Sequence, residues 1–315
     1  MTRPAAPATA SGTPAGSSPA AQAPSGTARG ADRLATGRAP RRGRPGQRFV
    51  VLRTAVAVVA ALVVAFPLWW MLVVAFSPRG EVFGRGLRLV PSTVTLENFT
   101  RVLDRYPVAE WFGNSVVIGV FVTVLTVLVN LLAGYAFAHV RFVGRSFVFL
   151  TFLATLMIPV QAIMVAQFRL VTGLGIYGTY WSVILPSAAT AFGVFLARQF
   201  MLGVPTELLE AARLDGAGHL RIFARIVLPL SGPLVAVLVL LTLLGSWNDF
   251  AWPLIALKDP DLFTLPIGLL YLKGQTTPDY NAIMAMAVLT VLPMVALFVA
   301  FQRFFVQGFV RSGVR

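Results

Sequence analysis

The sequence predicts an all-α integral membrane protein with six transmembrane helices, and three observations carry that expectation. Of 315 residues, 57% are hydrophobic and only 12% charged, where a soluble domain carries roughly 25% charged residues. Mean hydropathy is +0.77. The apolar residues gather into six runs, each near the roughly 20 helical residues that a hydrocarbon core requires, separated by polar stretches holding Gly, Pro and Arg.

Residues 1 to about 46 are rich in Ala, Pro, Gly, Ser, Thr and Arg, with almost no large apolar side chain. Such a stretch cannot bury enough surface to fold alone, so a disordered basic cytoplasmic tail is expected there, followed by one transmembrane domain over 47–315. The first span, about 50–76, is too long for a signal-peptide apolar region and lacks a small-x-small cleavage site before Ser77, so it is expected to persist. The second, about 112–138, holds Asn114 at one end, Asn130 inside, and a small-residue face of Ala133, Gly134 and Ala138 suited to close helix contact. The third, about 147–168, carries Gln161 and Gln167, and Pro159 is expected to kink it as Pro67 kinks the first. The polar groups can line a path or hydrogen-bond between helices. The fourth covers about 180–200, and the sixth, about 282–306, contains Pro293.

The fifth span, about 230–257, ends in Gly245-Ser246-Trp247-Asn248-Asp249-Phe250-Ala251-Trp252-Pro253, which predicts a broken helix. An ionisable group inside a span is expensive and a functional suspect, and Asp249 is the clearest such group here. Two readings are open. Trp247 and Trp252 can be interfacial anchors with Asn248 and Asp249 reaching water, or Asn248 and Asp249 can line a pathway or touch a partner.

Arginine and lysine placement orients the spans, because basic loops stay cytoplasmic during insertion. With the N-terminus inside, cytoplasmic segments hold 18 of the 26 basic residues, while Glu81, Glu97, Glu110, Asp259, Asp261 and Asp279 fall outside. Both termini and the 201–229 segment are then cytoplasmic. The net charge of +14 has this membrane explanation, and nucleic-acid binding is not expected. With no cysteine, there is no disulfide or thiolate site. The two lysines, Lys258 and Lys273, do not follow Gly, so no phosphate-cradling Gly-Lys-Ser/Thr loop exists in the sequence and the chain is not itself an ATPase. His139 and His219 lie in different cytoplasmic loops without a carboxylate cluster, which argues against metal catalysis. An enzyme, a cofactor site and a metal site are not expected.

The most informative stretch lies between the fourth and fifth runs, at about 201–229. Pro205 and Thr206 mark a helix start, and Glu207 and Glu210 place negative charge near the positive end of its dipole. Glu207, Glu210 and Arg213 recur at intervals of three and share a face, offering a partner both carboxylate and guanidinium. Ala211 and Ala212 let another surface approach the backbone, and Gly216 and Gly218 permit a helix end and turn, so a bent two-part helix is expected.

The spaced pattern Glu210-Ala211-Ala212, Gly216, Ile226, Leu228, Pro229 resembles the EAA loop of permease subunits in binding-protein-dependent ABC importers. Over about 98–315 the chain is similar to carbohydrate-class permeases of the maltose-type second subunit, through Asn114-Ser115, Met157-Ile158-Pro159, Ser246-Trp247-Asn248-Asp249, Trp252-Pro253-Leu254-Ile255 and Gln302-Arg303-Phe304-Phe305-Val306-Gln307-Gly308. The long tail before about 46 and the ending Val310-Arg311-Ser312-Gly313 depart from that pattern. The resemblance implies the permease fold with a cytoplasmic coupling helix in which Glu207, Glu210, Ala211, Ala212, Arg213, Asp215 and Gly216 meet an ATPase subunit dimer that holds ATP and Mg. It also implies a second permease subunit and an extracytoplasmic solute-binding protein, met through the loops at about 77–111 and 258–280. The expected function is import of a sugar or related solute across the cell membrane. A self-sufficient secondary transporter or channel is the alternative, and six spans with one candidate acid and no obvious inverted repeat argue against it.

Overall fold

The computed structural model describes residues 47–81, 89–275 and 277–312, with side chains described between 49 and 300. The expected tail, 1–46, and the side chains of the 302–308 motif lie outside the described residues. Two units are distinguished, 1–57 and 58–315. The described part of the first is helical from Gln47, with exposed side chains and Thr54 Oγ1 donating to the Val50 carbonyl at 2.9 Å.

All regular structure among the described residues is helical. α1 (Gln47–Phe76) is followed by α2 (Glu97–Arg105), α3 (Val108–His139) and α4 (Arg145–Met157). Next come α5 (Val160–Gly173), α6 (Trp181–Ser187), α7 (Ala191–Met201), α8 (Thr206–Leu214) and α9 (His219–Leu230). α10 (Gly232–Asn248), α11 (Ala251–Ala256), α12 (Leu265–Lys273) and α13 (Tyr280–Ser312) complete the order. Three helices are long and apolar enough to cross a membrane singly, over Phe49–Phe76, Val108–His139 and Tyr280–Ala300. Three bent pairs can supply further spans, giving up to six.

Those bends modify the expected third, fourth and fifth spans. α4 and α5 meet at 108°, far more than a kink in one crossing. Pro159 has no N–H and pushes Ile158 out of the helical region, to φ −90°, ψ 119°. α6 and α7 meet at 42°, where Thr190 caps α7 by accepting from the Gly193 N–H. α9 and α10 meet at 81°, with Pro233 in the first turn of α10. Pro67 and Pro293 instead sit within continuous helices.

α3 organises the second unit. Its buried positions, Trp111, Asn114, Ser115, Ile118, Val122, Thr126, Asn130, Leu131, Gly134, Tyr135 and Ala138, recur every three or four residues and form one stripe. The stripe holds the polar and small residues, while Val120, Phe121, Val124 and Leu128 stay exposed, as suits a helix with lipid on one side and protein on the other. Gly134 lets α7 approach so closely that an added Cβ would lie 2.4 Å from that of Ala197. Asn130, fully buried, donates to Thr190 Oγ1 at 3.0 Å and accepts from the Thr190 N–H at 3.1 Å. Thr126 donates to the Ser187 carbonyl at 2.5 Å. Both serve backbone freed where α6 breaks from α7, so Asn130 is a brace of the bend.

At the N-terminal end of α3, Trp111 donates from its indole to the Pro260 carbonyl at 2.9 Å and lies against Gly268, where a Cβ would come within 2.1 Å of the ring. Asn114 donates to the carbonyls of Asp261 and Phe263, and Ser115 accepts from the Leu265 N–H. The expected loop at about 258–280 therefore contains a clamped helix, α12. The C-terminal end of α1 is held by two buried asparagines: Asn98 donates to the Ala75 and Ser77 carbonyls, Asn281 to those of Val74 and Ser77. Orphan carbonyls at a helix end are met here by side chains.

A Cβ at Gly193 would lie 2.0 Å from Asn130 Nδ2 and 2.6 Å from Thr190 Oγ1. Gly193→Ala is expected to open this brace at a cost of about 1–3 kcal/mol, lowering the thermal unfolding midpoint in detergent. Gly173→Ala, whose Cβ meets nothing within 4 Å, should leave the midpoint in place.

Candidate functional site

α8 is short and carries two unlike faces. It starts after Pro205 at φ −55°, ψ 128°, with Glu207 in the first turn and Arg213 in the last, each favourable for the dipole. Leu209 is 3% exposed and joins a cluster with Leu131, Tyr135, Met201, Ile222 and Phe223 from α3, α7 and α9, while Ala212 and Ala217 pack at its edge. Opposite, Glu207, Glu210, Ala211, Arg213, Asp215 and Gly216 are all exposed. Among the described residues none of these charges has a salt-bridge partner. Leu208, Leu214 and Leu220 flank them at 47%, 90% and 78% exposure, so a mixed apolar and charged surface faces outward.

The turn after α8 is a complete Schellman cap. The Ala217 N–H donates to the Ala212 carbonyl at 2.9 Å and the Gly216 N–H to the Arg213 carbonyl at 3.0 Å. Gly216 closes it at φ 77°, in the left-handed region, and a Cβ there would meet nothing within 4 Å. The need for glycine at 216 is therefore conformational. Gly218, at φ −74°, ψ 165°, is extended and starts α9. The expected two-part helix is present as α8 and α9, hinged on Gly216 alone.

The seven residues that the sequence analysis expects to couple thus fall on α8 and its C-terminal cap, with one division. Ala211 faces outward, while Ala212 is half-buried against the core cluster and presents less open surface. Beneath them lies an arrangement that the sequence reading missed. Tyr135 OH lies 3.2 Å from His219 Nδ1, and His139 Nε2 donates to the Met201 carbonyl at 3.0 Å, with the Tyr135 ring 5.4 Å from those of His139 and Phe223. The two histidines converge although they are 80 positions apart, joining the C-terminal end of α3 to the ends of α7 and α9.

The pathway candidates separate. Asn130 is occupied with Thr190 and is not among the walls of the two cavities beside Asp249. Asp249 lies where α10 stops and α11 begins, its Oδ1 accepting from the Ala251 and Trp252 N–H groups at 3.1 and 3.4 Å. A cavity of about 310 Å³ opens there, with Ser187, Thr190, Thr242, Ser246 and Asp249 among its walls. A second, of about 300 Å³, shares Gly245 and Asp249 and adds Gln161 and Asn248. Trp247 and Trp252 are buried and donate to the Thr290 and Ser182 carbonyls at 3.2 and 3.0 Å. The interfacial-anchor reading of these tryptophans is therefore corrected: buried indoles need internal acceptors and have them.

Residues 130–311 match the family model described as the binding-protein-dependent transport system inner membrane component. The arabinooligosaccharides transport system permease protein AraQ of Halalkalibacterium halodurans is 42% identical over 258 residues, 81% of this chain and 92% of that protein. Its Bacillus subtilis counterpart is 35% identical over 86% of this chain and 99% of its own length. The sn-glycerol-3-phosphate transport system permease protein UgpE of Escherichia coli is 34% identical over 79% and 92%. By fold, the chain is similar to a solved structure of a bacterial ABC transporter involved in the import of the acidic polysaccharide alginate, with a TM-score of 0.76 at 20% identity, over 85% of this chain and 100% of that one. An all-helical membrane unit, a short amphipathic helix presented from its end, and relatives matched over nearly their full length lead to one conclusion: the chain belongs to the family of binding-protein-dependent transport system inner membrane components.

Proposed function

We propose that this multi-pass membrane chain is the subunit through which an ATP-driven importer moves a sugar or related polyhydroxylated solute into the cytoplasm, and that α8 is the element on which the motor acts. The observation that carries this is the two-sided construction of α8, pinned from below by Leu209 and open above through Glu207, Glu210, Ala211, Arg213 and Leu214. A lever must be stiff toward its own subunit and adhesive toward its partner, and these faces meet the two needs separately. ATP and Mg belong to a separate ATPase dimer, consistent with a sequence lacking a phosphate-binding loop. Glu210 pairs with a basic residue of that ATPase.

The AraQ relatives are named for arabinooligosaccharides and UgpE for sn-glycerol-3-phosphate, which supports a carbohydrate or polyol-derived solute here. An extracytoplasmic solute-binding protein delivers it to the end of the domain at α2 and α12. A second permease subunit completes the pathway, and the flank of α1 from Val58 to Leu68, exposed within its unit, gives that subunit a surface to cover. Both termini and α8 lie on the cytoplasmic side, as the distribution of arginine supports.

Two substitutions separate adhesion from stiffness. Ala211→Trp fills the outward face without touching the cluster around Leu209, and it should lower uptake and solute-stimulated ATP hydrolysis by about tenfold or more, as expected for a blocked interface centre, in proteoliposomes holding the full importer. Membrane insertion of the chain should be unchanged. Gly216→Val must strain the left-handed cap by about 1–2 kcal/mol, and uncoupling is expected, whereas Gly216→Asn, a residue that tolerates this region, should keep most of the activity. Normal uptake by the first two variants, or uptake by the chain without any ATPase, would refute the assignment.

A further inference from the structure

Asp249 occupies a position that the coupling role does not use. It is the one side chain with formal charge lining either of the two adjoining cavities at the α10–α11 break. Its Oδ1 is fixed by the amides of Ala251 and Trp252, so the carboxylate cannot swing away. Among the described residues Oδ2 has neither a cation nor a hydrogen-bond donor, and it is not enclosed by protein. The rest of the polar lining, Ser187, Thr190, Thr242 and Ser246 in one cavity with Gln161 and Asn248 in the other, is neutral. No arginine or lysine lines either wall.

We infer that Asp249 is a charge-selecting residue of the translocation path, whose free carboxylate oxygen accepts hydrogen bonds from the hydroxyl groups of an uncharged, polyhydroxylated solute and turns away phosphorylated or carboxylated ones. This rests on the transport reading above and narrows it. A phosphate or uronate group leaving water is best held by cationic partners, and neither cavity wall supplies one, while the Asp249 carboxylate opposes it. A sugar hydroxyl brings the donor that Oδ2 lacks.

The chain has no cysteine, so a single reporter thiol can read the cavity. Ser246→Cys is placed in the full chain, assembled with the second permease, the ATPase and the binding protein in membrane vesicles, and its modification is timed with a cationic trimethylammonium-ethyl and an anionic sulfonatoethyl methanethiosulfonate. Asp249 should raise the ratio of cationic to anionic rates by about tenfold or more over the same reporter in an Asp249→Asn background. Thr242→Cys provides a second reporter if the first variant fails to assemble. A ratio that is unchanged by Asp249→Asn overturns the charge selection while leaving the pathway reading intact. Separately, vesicles loaded with a transported neutral sugar should show protection of the thiol. Absence of both modification and protection would overturn the placement of the path itself, and with it this inference.

Discussion

The buried side chain of Leu209, seated among residues of α3, α7 and α9, is the contact on which the functional face depends. A nine-residue helix has too few internal hydrogen bonds to hold its shape in water unaided, so α8 exists because its underside is buried and its ends are fixed. The Schellman cap at Gly216 and the turn from Met201 through Pro205 supply those ends. Once the underside is committed, the 3.6-residue repeat forces Glu207, Glu210 and Arg213 outward. The charged face is a geometric consequence of the apolar one.

The same logic governs the bends. A break in a span frees backbone groups that membrane interior cannot hydrate, and at two of them side chains meet the need: Asn130 and Thr126 of α3 at the α6–α7 break, and Asp249, just past α10, at the α10–α11 break. Asn130 spends its polar atoms on this service, whereas Asp249 spends one oxygen and keeps the other toward the cavity. That difference, invisible in composition, separates a brace from a residue that can meet solute.

Much of this was legible in the chain itself. The apolar runs gave the number of potential crossings, and the intervals among Glu207, Glu210 and Arg213 gave the outward face of α8. Pro159 predicts a kink, but a proline states only that the preceding residue leaves the helical region, and the 108° between α4 and α5 does not follow from that local pattern. Gly216 and Gly218 looked equivalent because two glycines in a polar turn carry the same local signal, and only the backbone angles single out Gly216. The convergence of His139 and His219 on Tyr135, and of Asn98 and Asn281 on the end of α1, joins residues far apart in sequence. Buried polar side chains find carbonyl partners wherever the fold brings them, and spacing alone does not reveal which.

The central claim is that α8 moves with its own subunit as one stiff piece. Replacing Glu210 and the exposed Arg141, just past the C-terminal end of α3, with cysteine, in a chain that has none of its own, allows spin labels to report the separation between lever and core in the assembled importer. The account predicts one narrow distance distribution that is the same without nucleotide and with ATP trapped at the ATPase. A distribution that broadens, or whose centre shifts by more than the length of the label tether when ATP is bound, would show α8 sliding over its core and would contradict it.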